Sequence, residues 1–135
     1  LKKSIWEKTI LNSSLSALCA LSKLTMLEAM SDPDLVLVIR QTIEESIHVA
    51  QREGIEIKDD FLDHCMVYLT KAGNHFPSLA VDFINNKSTE IDLFNGKIVD
   101  YSKNHNLRTP INSAFTSMMR AMTAKAKKEQ LNQAI

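Results

Sequence analysis

Residues 5–24 read IWEKTILNSSLSALCALSKL. Ile5, Leu11, Leu15, Leu18, Ala20, Leu21 and Leu24 recur largely at three- and four-residue steps, and neither Pro nor Gly interrupts them, so the stretch predicts a long first helix. The rest of the chain shares its character. Leu, Ala, Met, Lys, Glu and Ile abound while aromatic residues make up only 6%, a mixture whose unbranched side chains keep their rotamer freedom in helices. Three Gly and three Pro in 135 residues leave little material for tight turns. The expected fold class is all-α, one compact multi-helix domain.

Working outward, Ser31-Asp32-Pro33-Asp34 signals a second helix, with Asp32 as cap and Pro33 at the first helical position, running to a stop at Gly54. Its buried stripe is read as Leu35, Val38, Ile39, Ile43, Ile47 and Ala50. Asp59 and Asp60 place negative charge at the start of a third helix that turns Phe61, Leu62, Cys65, Met66 and Leu69 inward and ends near Gly73. Pro77-Ser78 opens a brief helix through Phe83, and Asn85-Asn86-Lys87-Ser88 is a polar loop. Thr89 to Phe94 is expected to resume helix until Asn95-Gly96 breaks it, and Ile98 to Asn104 forms another short helix. After Thr109-Pro110 a last helix carries Ile111, Phe115, Met118, Met119 and Met122 on one face, and the polar tail from Lys125 is expected to fray or lie exposed.

Bulk properties narrow the function. Sixteen Lys and Arg balance sixteen Asp and Glu, so no long-range field draws the protein to nucleic acid or to an anionic membrane. Cys19 and Cys65 match neither a zinc nor a redox spacing, and His48, His64, His75 and His105 show no metal-ligand pattern. No apolar run reaches the ~20 residues of a membrane span and no cleavable leader is visible. These features describe a reduced cytoplasmic protein without a metal. The chain opens at Leu1, already inside an amphipathic pattern, and reads as cut from a longer one.

Two polar constellations stand out. Lys8, Asn12 and Ser16 are spaced by four and four, so they stack along one edge of the first helix. Spacing alone favours a solvated face, yet Asn is a mediocre residue for the middle of so apolar a helix, which hints that Asn12 is there to hydrogen-bond. The second constellation is Ser78-x-x-x-Asp82, then Ser88-Thr89-Glu90-Ile91-Asp92 and Asn95-Gly96. Ser88 or Thr89 can cap a helix whose first turn holds Glu90 and Asp92, where the helix dipole stabilises anions.

Taken together, Trp6-Glu7-Lys8 through Asn12, Ser78-x-x-x-Asp82, Thr89-Glu90-Ile91-Asp92 with Asn95-Gly96, and Thr109-Pro110-x-Asn112 resemble the C-terminal domain of the ketopantoate reductase (2-dehydropantoate 2-reductase) family. The likeness covers nearly the whole chain in the right order. It implies the helical domain that follows a Rossmann domain in 6-phosphogluconate-dehydrogenase-like enzymes. That N-terminal domain, which would bind most of the NADPH, is not expected within residues 1–135, where no Gly-x-Gly-x-x-Gly occurs. The implied reaction is NADPH-dependent reduction of ketopantoate, or a similar short branched 2-oxoacid, in pantothenate biosynthesis, with the domain inactive by itself.

By the same resemblance Lys8 is the catalytic lysine and Glu90 the active-site glutamate, while Asn12, Ser16 and Ser78 fall at substrate-binding positions. A ketone that gains hydride becomes an alkoxide, and an ammonium both stabilises and protonates that oxygen. Asp82 and Asp92 are left as caps or surface acids. Ser16 and Met26 stand where the family commonly has asparagines, so the substrate's polar groups would be held differently, and ketopantoate itself is in question. The implied partners are the 2-oxoacid and the protein's own Rossmann domain, and a homodimer is left open. Trp6, two residues before Lys8, is expected to pack where the two domains meet. The alternatives are a related 3-hydroxyacid or opine-type dehydrogenase and a non-catalytic helical interaction module, the latter distinguished by dispersal of Lys8, Asn12, Ser78 and Glu90 over separate faces.

Overall fold

In the computed structural model, which describes residues 2–134, the first helix α1 (Lys3–Ser22) is buried on every side from Ser13 to Ala20. It is the central post of the domain rather than an amphipathic outer helix. The cause lies in its side chains, since Ser13, Ser14, Ser16, Ala17 and Ala20 are small enough for neighbouring helices to approach closely. The post is surrounded by α3 (Pro33–Arg52), α5 (Ser78–Ile84) and α7 (Pro110–Gln133), all of which pack on it. Two further short helices, α2 (Met26–Met30) and α4 (Phe61–Thr70), brace α3, and α6 (Asn95–Lys103) lies against α7. A single 3₁₀ turn spans Ile91–Leu93, and no strand occurs among the described residues.

Helix ends obey local rules. Asp32 accepts from the N–H groups of Asp34 (2.9 Å) and Leu35 (3.1 Å), Pro33 occupies the first helical position, and Gly54 leaves α3 at φ +85°. Lys23 ends α1 in the left-handed region at φ 60°, its N–H donating to the Cys19 carbonyl at 2.9 Å. Leu24 is therefore outside α1. The unforeseen α2 begins at once, because Thr25 and Glu28 form a reciprocal capping box.

Packing corrects three expectations. Asn95-Gly96 does not break a helix but starts α6, and the helix expected from Thr89 to Phe94 shrinks to the 3₁₀ turn. The polar tail from Lys125 lies exposed, one of its two expected outcomes, and it stays helical, since α7 continues to Gln133. Trp6 is only 1% exposed and meets the Tyr101 ring edge-on with centroids 5.0 Å apart, so it belongs to the core and offers no face to another domain. Met119 of the last-helix stripe is fully buried, whereas Met118 and Met122 are each 45% exposed.

Candidate active site

The line of Lys8, Asn12 and Ser16 is not a solvated face. Lys8 is exposed, Asn12 is half-buried and Ser16 is 9% exposed, so one edge of α1 leads from solvent into the domain in two turns. Ser78 is the first residue of α5, exposed, on a helix that packs against α1. Glu90 is exposed and immediately precedes the 3₁₀ turn, where its carbonyl accepts from the Leu93 N–H at 2.9 Å. Lys8, Asn12 and Ser16 thus share a helix, Ser78 opens a helix docked on it, and Glu90 comes from a distant segment. Among the described residues no ion pair joins Lys8 to Glu90.

The tie between the Glu90 segment and α1 is made by residues to which no role is assigned above. Asn95 is fully buried, and its amide donates to the Ser13 carbonyl and to Asn112 Oδ1, both at 2.9 Å. Asn112, also fully buried, donates in turn to Glu45 Oε1 at 3.0 Å, Ser46 Oγ at 3.3 Å and the Thr42 carbonyl at 3.4 Å. Glu45 completes the array by accepting from the backbone N–H groups of Ile111 (3.0 Å) and Asn112 (3.1 Å). A carboxylate from α3 thereby caps α7, whose own Thr109 makes no side-chain cap, and meets the positive end of its dipole. A signal was present in the sequence. Thr42 and Ser46 interrupt the α3 stripe at core-facing steps from Ile39, Ile43 and Ala50, and polar residues there demand partners.

The Glu90 turn is also held from its other side. Arg120 of α7 donates to Asp92 Oδ1 through Nη2 (2.6 Å) and Nε (2.9 Å), so Asp92 serves a structural pairing rather than a helix cap. Gly96 is closely packed there: a Cβ would lie 3.1 Å from the Ile91 carbonyl oxygen and 3.3 Å from Asp92 Oδ1.

Residues 1–123 match the family model described as "Ketopantoate reductase PanE/ApbA C terminal". The chain belongs to this family. The 2-dehydropantoate 2-reductase of Streptococcus pyogenes is 29% identical over 123 residues, covering 90% of this chain and 40% of that protein. The Pyrococcus horikoshii enzyme of the same name is 30% identical over 117 residues, covering 86% of this chain and 38% of its own length. Among solved structures, a dimeric ketopantoate reductase from Staphylococcus aureus superposes with TM-score 0.86 at 25% identity, covering 91% of this chain and 43% of that one. D-mandelate dehydrogenase with NADH and anilino(oxo)acetate superposes with TM-score 0.83 at 28% identity, covering 91% and 41%. The chain spans about two-fifths of the relatives it matches.

Within this domain of the ketopantoate reductase family, Met26 is the first residue of α2 and half-buried against the core. His105 pairs with Glu53, and His64 stands 3.4 Å from Asp60 within α4's first turn. Among the described residues no group of three His, Cys, Asp or Glu side chains is placed to hold a metal. Burial pushes the Cys19 thiol up to about 12, with the Glu28 charge adding, and the Cys65 thiol up to about 11, with the Glu7 charge adding. Both stay protonated and unreactive at neutral pH. An open groove of about 370 Å³ between α5 and the outer half of α7, lined by Lys23, Phe83, Lys87, Met122 and Lys125 among others, contains none of the site residues. Among the described residues no helix is long and apolar enough to cross a membrane.

Proposed function

We propose that this chain is the substrate-side domain of an NADPH-dependent reductase that converts ketopantoate, or another short branched 2-oxoacid, to the 2-hydroxyacid. The observation that carries the proposal is the descent of Lys8, Asn12 and Ser16 from solvent into the domain along α1, within a chain that belongs to the family. An exposed ammonium, with amide and hydroxyl groups further along the same edge, suits a small anion whose ketone must be protonated as it is reduced. Lys8 Nζ gives a proton to the oxygen that becomes alkoxide, and the exposed amine regains one from water. The Glu90 carboxylate orients the ammonium, and Asn12 and Ser78 position the oxoacid's polar groups.

The dinucleotide's phosphates do not fit the residues present. Gly54 follows a helix end, Gly73 is crowded by the His75 ring and Gly96 lies against the Ile91 carbonyl, so none of the three forms a phosphate cradle at a helix start. The nicotinamide supplies hydride when bound, and we assign its binding to a Rossmann domain of the full-length protein. Homodimerisation, as in the Staphylococcus aureus relative, is part of the proposal.

Ser16 and Met26 support a second substrate reading: a 2-oxoacid with fewer polar groups than ketopantoate. D-mandelate dehydrogenase, 28% identical, is as similar to this chain as the Ralstonia eutropha ketopantoate reductase, also 28% identical. A panel of 2-oxoacids offered to the full-length enzyme with NADPH and NADH decides between the two. Reduction of ketopantoate with the highest kcat/KM supports the first reading, preference for an apolar-substituted 2-oxoacid the second, and no reduction of any 2-oxoacid sinks both.

A further inference from the structure

We infer that Asn95 is a positioning residue of the active site, holding the Ser13 carbonyl so that the α1 edge with Lys8 and Asn12 keeps its register against the turn that carries Glu90. The inference rests on the proposed oxoacid-reductase function.

The direction of the buried array admits one arrangement. Asn112 Nδ2 faces three oxygens, those of Glu45, Ser46 and the Thr42 carbonyl, so its own Oδ1 must point the other way, toward Asn95. Asn95 then has both amide hydrogens committed, one to Asn112 Oδ1 and one to the Ser13 carbonyl. A flipped Asn95 would set its oxygen against two acceptors. The charge of Glu45 on α3 thus fixes, through two amides, the contact that α6 makes with α1.

That contact lies where the two halves of the site must agree. Ser13 follows Asn12 directly and is five residues beyond Lys8, while Asn95 is five residues beyond Glu90. Little slack separates Asn95 from Glu90. The 3₁₀ turn is closed by the Leu93 N–H to the Glu90 carbonyl at 2.9 Å and the Phe94 N–H to the Ile91 carbonyl at 3.2 Å, and Gly96 is packed against the Ile91 carbonyl. Stability alone gives a poor account of the arrangement. Asn95 Oδ1 and Ser13 Oγ are both buried without a hydrogen-bond partner, a cost that an apolar contact of the same size would avoid. What an amide supplies there, and an apolar group does not, is a fixed direction and distance to one carbonyl.

The test is a double-mutant cycle in the full-length enzyme with Asn95→Ala, Glu90→Ala and the double variant, each measured for kcat, KM and thermal midpoint. Asn95→Ala should lower kcat by roughly tenfold or more with KM changed far less, and the double variant should be no slower than Glu90→Ala. Normal kcat in Asn95→Ala, or losses that multiply in the double variant, would overturn the inference while leaving the site intact. Normal turnover in Glu90→Ala would overturn the role of Glu90, and the inference with it. Should Asn95→Ala not fold, Asn95→Asp replaces it in the cycle: it keeps the shape but turns a carboxylate oxygen toward the two acceptors. If activity loss simply tracks loss of folded protein in both variants, Asn95 is structural only.

Discussion

Two polar constellations share this small domain and are built in opposite ways. Lys8 and Glu90 are exposed, Asn12 is half-buried, and none of them bonds another. Asn95 and Asn112 are fully buried, bonded to each other and, through Asn112, to Glu45. The difference follows from what completes each set. A buried amide must find its partner within the fold or cost the stability of its lost hydration. A group meant for a ligand keeps its bonding capacity free until the ligand arrives. Exposed, unbonded groups near an edge therefore mark function and the fully bonded Asn112–Glu45 pair marks framework, with Asn95 linking the two, and substitutions in the two sets should fail differently.

The largest effect is expected from Lys8→Ala in the full-length enzyme, which should lower turnover about 100-fold or more, the usual scale for a lost general acid, with little change in thermal midpoint. Steady-state kinetics beside a melting curve checks both halves, and a variant that melts early but turns over normally would erase the contrast. Asn112→Ala should show the converse. It leaves an Asn95 N–H without its acceptor and takes from Glu45 Oε1 one of its two donors, the backbone N–H remaining, and a loss of ~3 kcal/mol in unfolding free energy is expected from urea titration. An undiminished midpoint would mean that the buried array contributes little to the framework.

The two buried thiols allow a pH test. The folded state holds their protons up to about 12 for Cys19 and about 11 for Cys65, whereas the unfolded chain releases both nearer the ordinary value of 9.0. Above that value the unfolded state binds fewer protons, so their contribution is intact below it and is lost as pH climbs toward the folded values. Urea midpoints should fall more steeply with alkaline pH in the native protein than in Cys19→Ala, and equal slopes would count against burial as the cause. The smallest effect belongs to the outer half of α7. Lys125 and Glu129 are 3.8 Å apart with both side chains largely exposed, and removing either should change stability by no more than about 0.5 kcal/mol. A larger loss would show that this stretch is part of the framework after all.

Much of the helical plan was legible because it is local. Asp32-Pro33, Pro77-Ser78 and Thr109-Pro110 each mark a helix start through the geometry of two or three residues. The errors came where distant chain decided. Asn95-Gly96 looks like a breaker in isolation, yet α6 begins there, with the Asn95 amide buried and bonded to Ser13, 82 residues away. Trp6 looked available to a second domain until Tyr101 covered it. Of the site, the residue types and the α1 spacing were readable, whereas the descent of that line into the interior was not, since it depends on which helices surround α1.

By itself the sequence determined that this chain is helical, where most of its helices begin, and which family's pattern it carries, because capping, proline geometry and apolar spacing act over a few residues. Only the tertiary structure decided which polar residues are buried and bonded and which stay open. That sorting depends on water being excluded by segments far apart along the chain, a quantity that no local pattern contains.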